Sequence, residues 1–214
     1  MESKLIINAS IFQRRICDRF LIVPAGKTHT NLLPNDIIIK MKPSLAFSSG
    51  FHPATILSLQ LLEKYVTPGM HTLDMGCGSG ILSIALAKLG ASVLAIDNDA
   101  IAIKTTKELV LLNNVDAQVI ITEGSLEQGI TLGHWMGRNI GNDIQAINTQ
   151  KKFKLIVANI FACTHIAPVK YYQQGLVRNG ILISSGFIDD YTPSIVSAIE
   201  KQKFSLIGKE KLRE

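Results

Sequence analysis

The sequence predicts an α/β fold: a doubly wound, mostly parallel sheet with a small β-rich N-terminal extension. Three observations carry this expectation. From about residue 55 onward, strand-length apolar runs alternate with segments of helical period. The runs are apolar throughout rather than at every second residue, as in strands covered on both faces. A glycine-rich turn, 76–80, joins one such run to the helix that follows it.

Taken in order, residues 1–53 form the extension, with strand-like runs at 5–7, 19–23 and 37–41 around a turn-rich stretch at 25–35. Residues 54–214 form the main domain. It opens with a helix over 55–65, where Ile56, Leu59, Leu62 and Tyr65 fall at helical spacing. Residues 71–75 read as a short buried strand and 79–88 as a helix with Ile81, Ile84 and Ala85 inward. A second strand at 92–97 leads into a helix over 99–113, for which Asp99 is the N-cap. Further strands are expected at 118–122, 154–159 and 181–184, helices at 161–177 and 192–201, and a last strand at 204–208. Residues 125–152 interrupt the alternation: Gly129, Gly133, Gly137 and Gly141 are spaced by four, and the only tryptophan, Trp135, lies among them. So long a connection in a compact domain reads as a lid or mobile segment.

Composition narrows the function classes. With 47% hydrophobic and 18% charged residues in 214, the chain can build a large core, which excludes disorder as its main character. The net charge of +5 comes from scattered Lys and Arg with no run longer than two, so no nucleic-acid motif is implied. The charge-free stretch 43–62 holds Pro43, Gly50, His52 and Pro53 and is no spanning helix. No signal-peptide pattern opens the chain. Cys17, Cys77 and Cys163 are odd in number and form no C-x-x-C, so neither a disulfide framework nor a metal site is expected, and a cytoplasmic setting fits.

The strongest chemical signal is Leu73-Asp74-Met75-Gly76-Cys77-Gly78-Ser79-Gly80. Gly76 and Gly78 let backbone approach a ligand where a Cβ would clash, and the next helix offers free N–H donors at its start. Asp74, just before the loop, is poorly placed for an anionic pyrophosphate. It suits a cofactor that brings positive charge, as S-adenosylmethionine does with its ammonium and sulfonium. Asp97 ends the next strand, 21 residues after Gly76, where a carboxylate can accept both ribose hydroxyls. The pair points to a nucleoside site.

With these residues in view, the chain resembles the ribosomal protein L-eleven methyltransferase family. These are bacterial class I S-adenosylmethionine-dependent enzymes that methylate amino groups of a ribosomal protein. The resemblance runs from about residue 20 to the end. It rests on Ala46-Phe47-Ser48-Ser49-Gly50-Phe51-His52-Pro53-Ala54-Thr55, the glycine loop, Ile96-Asp97, Glu123-Gly124-Ser125-Leu126, Val157-Ala158-Asn159-Ile160 and Ser185-Gly186. It departs at Ser48-Ser49-Gly50, where relatives have Gly-Thr-Gly, and at Arg178-Asn179-Gly180, where they have Pro-Gly-Gly. Relatives also carry an N-terminal domain that captures the ribosomal protein and a final antiparallel strand, and this chain is expected to lack both.

The resemblance implies a Rossmann-like class I methyltransferase fold and S-adenosylmethionine as cofactor. The cofactor-binding candidates are Thr55, Asp74, Gly76, Gly78, Asp97, Asn98 and Asn159. Asn159 is also the candidate catalytic residue, because its amide can both donate and accept at a strand's carboxyl end. Together with backbone carbonyls near Ile160 it would hold the acceptor amine toward the methyl group. Phe47, Phe51 and Phe161 are candidate walls of the acceptor pocket, and His52 is either a base or a helix-entry residue. The acceptor is expected to be a protein, possibly ribosomal. A small-molecule N- or O-methyltransferase and a non-catalytic cofactor-binding module are the alternatives.

Overall fold

The computed structural model describes residues 13–27, 31–42, 52–126, 147 and 150–212. Its centre is a five-stranded sheet made of β4 (His71–Met75), β5 (Ser92–Asp97), β6 (Val119–Glu123), β7 (Phe153–Asn159) and β8 (Leu176–Ser185). The order is β6-β5-β4-β7-β8 and every neighbouring pair is parallel. The chain steps outward from β4 through β5 to β6, then returns to the other side of β4 as β7. That reversal opens a crevice at the carboxyl ends of β4 and β7, the usual ligand position in such sheets.

Alternate residues of one strand feed two cores. In β7, Leu155 and Val157 join one apolar cluster while Ile156 and Ala158 join another. Both sets must be apolar, which is why the strand reads as an unbroken hydrophobic run. Helices α1 (Pro53–Tyr65), α2 (Ile81–Lys88) and α3 (Ala100–Leu112) contribute Leu59, Leu62, Ile84 and Leu109 to the first cluster. Local chemistry sets their starts. Pro53 stands in the first turn of α1, where its missing N–H is no loss, and the His52 Nδ1 accepts from Ala54 N–H at 3.2 Å. Asp99 caps α3 by accepting from Ile101 N–H at 2.8 Å, as expected.

The extension forms its own three-stranded sheet of β1 (Arg14–Ile16), β2 (Phe20–Pro24) and β3 (Ile37–Met41). β1 runs antiparallel to β2, and β2 parallel to β3. The run at 5–7 lies outside the described residues, and β1, with two arginines in three residues, carried no strand signal. Ile16, Phe20, Ile22, Ile39 and Met41 pack into the same cluster as Leu59 and Ile84, so core is continuous across residue 53.

Three expectations change. Residues 161–177 do not make one helix but α4 (Ala162–His165) and α5 (Val169–Gly175), and Leu176 and Val177 already belong to β8. Pro168 separates the two, since it lacks an N–H and its ring crowds the preceding turn. β8 is longer than 181–184 because its pairing with β7 jumps from Phe153↔Leu176 to Leu155↔Ile181, which sets 177–180 aside as a bulge. Asn179 turns through φ +60° there. Residues 204–208 form no strand: no strand pairs with them among the described residues, and Leu206 and Ile207 stay exposed. The helix α6 (Thr192–Lys201) matches its expected bounds. Of the connection 125–152, the glycines and Trp135 lie outside the described residues. Its ends meet where Ile147 N–H donates to the Ser125 carbonyl at 2.9 Å. Among the described residues no helix is long and apolar enough to cross a membrane.

Asn113, the C-cap of α3, holds the extension in place. Its Oδ1 accepts from Lys40 N–H at 2.8 Å, and its Nδ2 donates to the carbonyls of Lys40 and Leu109, each at 2.9 Å. The side chain therefore pairs the outer edge of β3 as a neighbouring strand would. Replacing it (Asn113→Ala) strands these groups, and urea unfolding should show a loss of about 1–3 kcal/mol.

Candidate functional site

The glycine loop turns at the end of β4. Gly76 N–H and Cys77 N–H both donate to the Ile96 carbonyl, at 2.9 and 3.0 Å, which draws the loop across the end of β5. Gly76 sits at φ +72°, and a Cβ there would lie 2.5 Å from Ile160 Cγ2, so only glycine lets β4 and β7 end this close together. A Cβ on Gly78 would meet nothing nearer than the Gly76 carbonyl at 4.0 Å, so this part of the loop faces open space.

Asp97 organises the next layer. One carboxylate oxygen accepts from Gly78 N–H at 2.9 Å and the other from Asp99 N–H at 3.0 Å. The carboxylate thus joins the glycine loop to the start of α3. Its burial raises its pKa, and the two backbone donors oppose that shift. Across the crevice, Asn159 ends β7 and its Nδ2 donates to Thr55 Oγ1 at 3.3 Å. Thr55 lies in the first turn of α1, so this contact fastens the helix start to the strand end. Ser58, one turn further along, reaches Ser185 with 2.6 Å between hydroxyl oxygens.

Thr55, Gly76, Gly78, Asp97 and Asn159 all line one cavity of about 2450 Å³, which continues along β8, α6 and residues 203–212. Asp74 and Asn98 do not line it; they are 1% and 5% exposed. Asp74 points instead at α2, where Ser83 Oγ donates to it at 2.5 Å. Burial pushes its carboxyl up to about 7, Ser83 opposes the shift, and the charge of Asp97 adds to it. His52 lines the cavity and caps α1 at once. Phe161 lines it half-exposed, while Phe47 and Phe51 lie outside the described residues.

The backbone carbonyls next to Asn159 have partners of their own. The Ile160 carbonyl lies 3.0 Å from His165 Nε2, and the Phe161 carbonyl accepts from Thr164 N–H at 3.0 Å and its hydroxyl at 2.6 Å. Both carbonyls have partners in the protein, and Asn159, Ile160 and Phe161 line the cavity together there. His165 carried no sequence signal, because it acquires its partners only when β7 and β8 lie side by side, whereas Ser185 was marked only as part of the Ser185-Gly186 motif.

A model of the family described as ribosomal protein L11 methyltransferase (PrmA) matches residues 12–214. The chain belongs to this family. It is 39% identical to the ribosomal protein L11 methyltransferase of Chloroflexus aurantiacus, over 92% of this chain and 60% of that protein. It is 38% identical to that of Herpetosiphon aurantiacus, over 87% and 59%. The chain thus spans about 60% of the length of the curated relatives it matches. Among solved structures, a ribosomal protein L11 methylase from Lactobacillus delbrueckii subsp. bulgaricus superposes with a TM-score of 0.78 at 28% identity. That superposition covers 93% of this chain and 92% of the other. The precorrin-6y C5,15-methyltransferase of Geobacter metallireducens, at TM-score 0.51 and 12% identity, shares the fold.

The state of Asp74 has a consequence for stability. An ordinary Asp releases its proton near 3.8, and this one near 7. Between those values the native chain keeps a proton that the unfolded chain has lost, so raising the pH through this window destabilises the fold. The slope from this one group approaches about 1.4 kcal/mol per pH unit. Asp74→Asn removes it. Urea unfolding of both proteins without ligand, from pH 4 to 8, should show the wild type losing stability relative to the variant up to about pH 7 and no further change above it.

Proposed function

We propose that the protein is an S-adenosylmethionine-dependent methyltransferase that N-methylates amino groups of a protein, in the cytoplasm. A ribosomal protein is the acceptor for which its relatives are named. The observation that carries the reading is the convergence of Gly76, Gly78, Asp97, Thr55 and Asn159 on one cavity at the crevice between β4 and β7.

These residues fit the cofactor chemically. The Asp97 carboxylate accepts from the backbone at Gly78, Asp99 and Asn98 and still has lone-pair capacity for a ribose hydroxyl. The open side of Gly78 admits a ligand against the backbone. The Thr55 hydroxyl, at the start of α1, is placed to donate to the carboxylate of the methionine portion. Asp74 and Asn98 are set behind the lining, and Asp74 adds a carboxyl whose ionisation a cationic ligand would favour. When bound, S-adenosylmethionine supplies a methyl group already activated by its sulfonium leaving group. The chain has to align an amine and keep it deprotonated. The Asn159 amide, half-buried and fixed by Thr55, holds the amine by hydrogen bonding, and the apolar walls around it disfavour an ammonium. No base is required of His52, whose Nδ1 is engaged at the helix start.

Calorimetry tests the cofactor. The wild type should give saturable heat with S-adenosylmethionine, and Asp97→Ala, which removes two charge-assisted contacts, should weaken binding by about 100-fold or more. No heat from the wild type overturns the reading. A second measurement addresses the acceptor: methyl-labelled cofactor is added with the enzyme to a cell extract. Label is expected in the protein fraction, and Asn159→Ala should slow its incorporation by about 100-fold at saturating cofactor, beyond any loss of affinity from its second role as a cofactor contact. Label in small molecules alone would replace the protein acceptor with the alternative substrate class.

A further inference from the structure

His165 is 1% exposed and sits in α4, six residues after Asn159. Its Nε2 lies 3.0 Å from the Ile160 carbonyl and 2.8 Å from the Ser185 carbonyl. Its Nδ1 lies 2.9 Å from Ser184 Oγ. Carbonyls only accept, so Nε2 carries the proton and shares it between the two oxygens, while the Ser184 hydroxyl donates to Nδ1. Burial favours the neutral ring, which then carries its one proton on Nε2. Phe187 closes on the imidazole edge-on, with centroids 5.2 Å apart.

The two carbonyls it binds are not equivalent to others in the sheet. Ser185 O also accepts from Ile160 N–H at 3.2 Å, so strand end and imidazole share one acceptor. Gly186 presses on Ile160 so closely that a Cβ there would lie 2.3 Å from its carbonyl oxygen. Through Ser185 and Ser58 the same cluster reaches α1, which carries Thr55, the hydrogen-bond partner of Asn159. The glycine loop and Asp97, by contrast, take their hydrogen bonds from β5 and α3, and the loop meets this cluster where Gly76 packs against the Ile160 side chain.

We infer that His165 is a positioning residue of the methyl-acceptor side: by pinning the ends of β7 and β8 together it sets the direction of the Asn159 amide, and it bears far less on cofactor binding, to which the glycine loop and Asp97 contribute independently of it. This rests on the methyltransferase reading above. It separates the two halves of the site, one fixed by a carboxylate and one by a neutral imidazole.

Four variants test it, each read by cofactor affinity in calorimetry and by the rate of label transfer from saturating S-adenosylmethionine to the protein fraction of a cell extract. His165→Phe fills the space without a donor, and transfer should fall by about 10- to 100-fold with the cofactor Kd within about threefold of wild type. His165→Gln places an N–H donor near the position of Nε2 and should recover much of the rate. His165→Asn, whose amide reaches only the Nδ1 position, should not. A purely structural residue would lose rate and affinity together and would show no preference for Gln over Asn. If His165→Phe does not fold, Ser184→Ala carries the same test, with a several-fold slower transfer expected at unchanged affinity. A wild type that neither binds nor transfers overturns the methyltransferase reading itself. An active wild type with fast His165→Phe, or with parallel losses of rate and affinity, overturns the role of His165 alone.

Discussion

A strand that is buried on both faces and paired on both edges has nowhere along its length to solvate a polar group or hold a ligand. β4 and β7 are such strands, and this constraint organises the rest of the molecule. Polar groups can be solvated, or bound by a ligand, only where the pleat stops, so the glycine turn, Asp97 and Asn159 all stand at strand ends. The short reach between those ends follows from the parallel register, which sets Met75 beside both Ile96 and Ala158. Asp74 is the carboxylate that breaks the rule. It is tolerated inside because Ser83 faces it from α2 and because it can stay protonated where an exposed aspartate could not.

Much of this was legible before folding. The strands at 71–75, 92–97 and 37–41, and the helix at 192–201, come out with the bounds their patterns imply, since burial on both faces and helical period are local signals. The strand-end positions of Gly76, Asp97 and Asn159 were readable for the same reason. The facing of Asp74 was not: in a strand buried on both sides, alternation cannot say which layer a given residue enters. The break at Pro168 outweighed an otherwise helical spacing, and 204–208 shows that strand propensity means little without a partner strand. His165 was invisible because its three partners come from residues 160, 184 and 185, which only tertiary structure gathers.

The two sides of the cavity are built by different means. The loop side depends on backbone conformations that glycine alone adopts without strain, drawn in by carbonyl and carboxylate acceptors. The Asn159 side depends on side-chain hydrogen bonds among Thr55, Ser58, His165, Ser184 and Ser185, nearly all of them buried. The first kind of construction is rigid by geometry. The second holds its shape only while every donor keeps its acceptor, because a lost partner in a dry interior is not replaced by water.

The continuous core between the extension and α1 bears on what counts as a unit of this protein. Phe20, Ile22 and Ile39 are fully buried, and they belong to the same apolar cluster as Leu59 and Leu62 of α1 and Ile84 of α2. A recombinant fragment cut at the start of α1 would match the boundary that motifs suggest, yet it would carry an apolar face in search of cover. The part without catalytic motifs is thus the inner lining of the part that has them, and α1, with Thr55 at its head, leans on it.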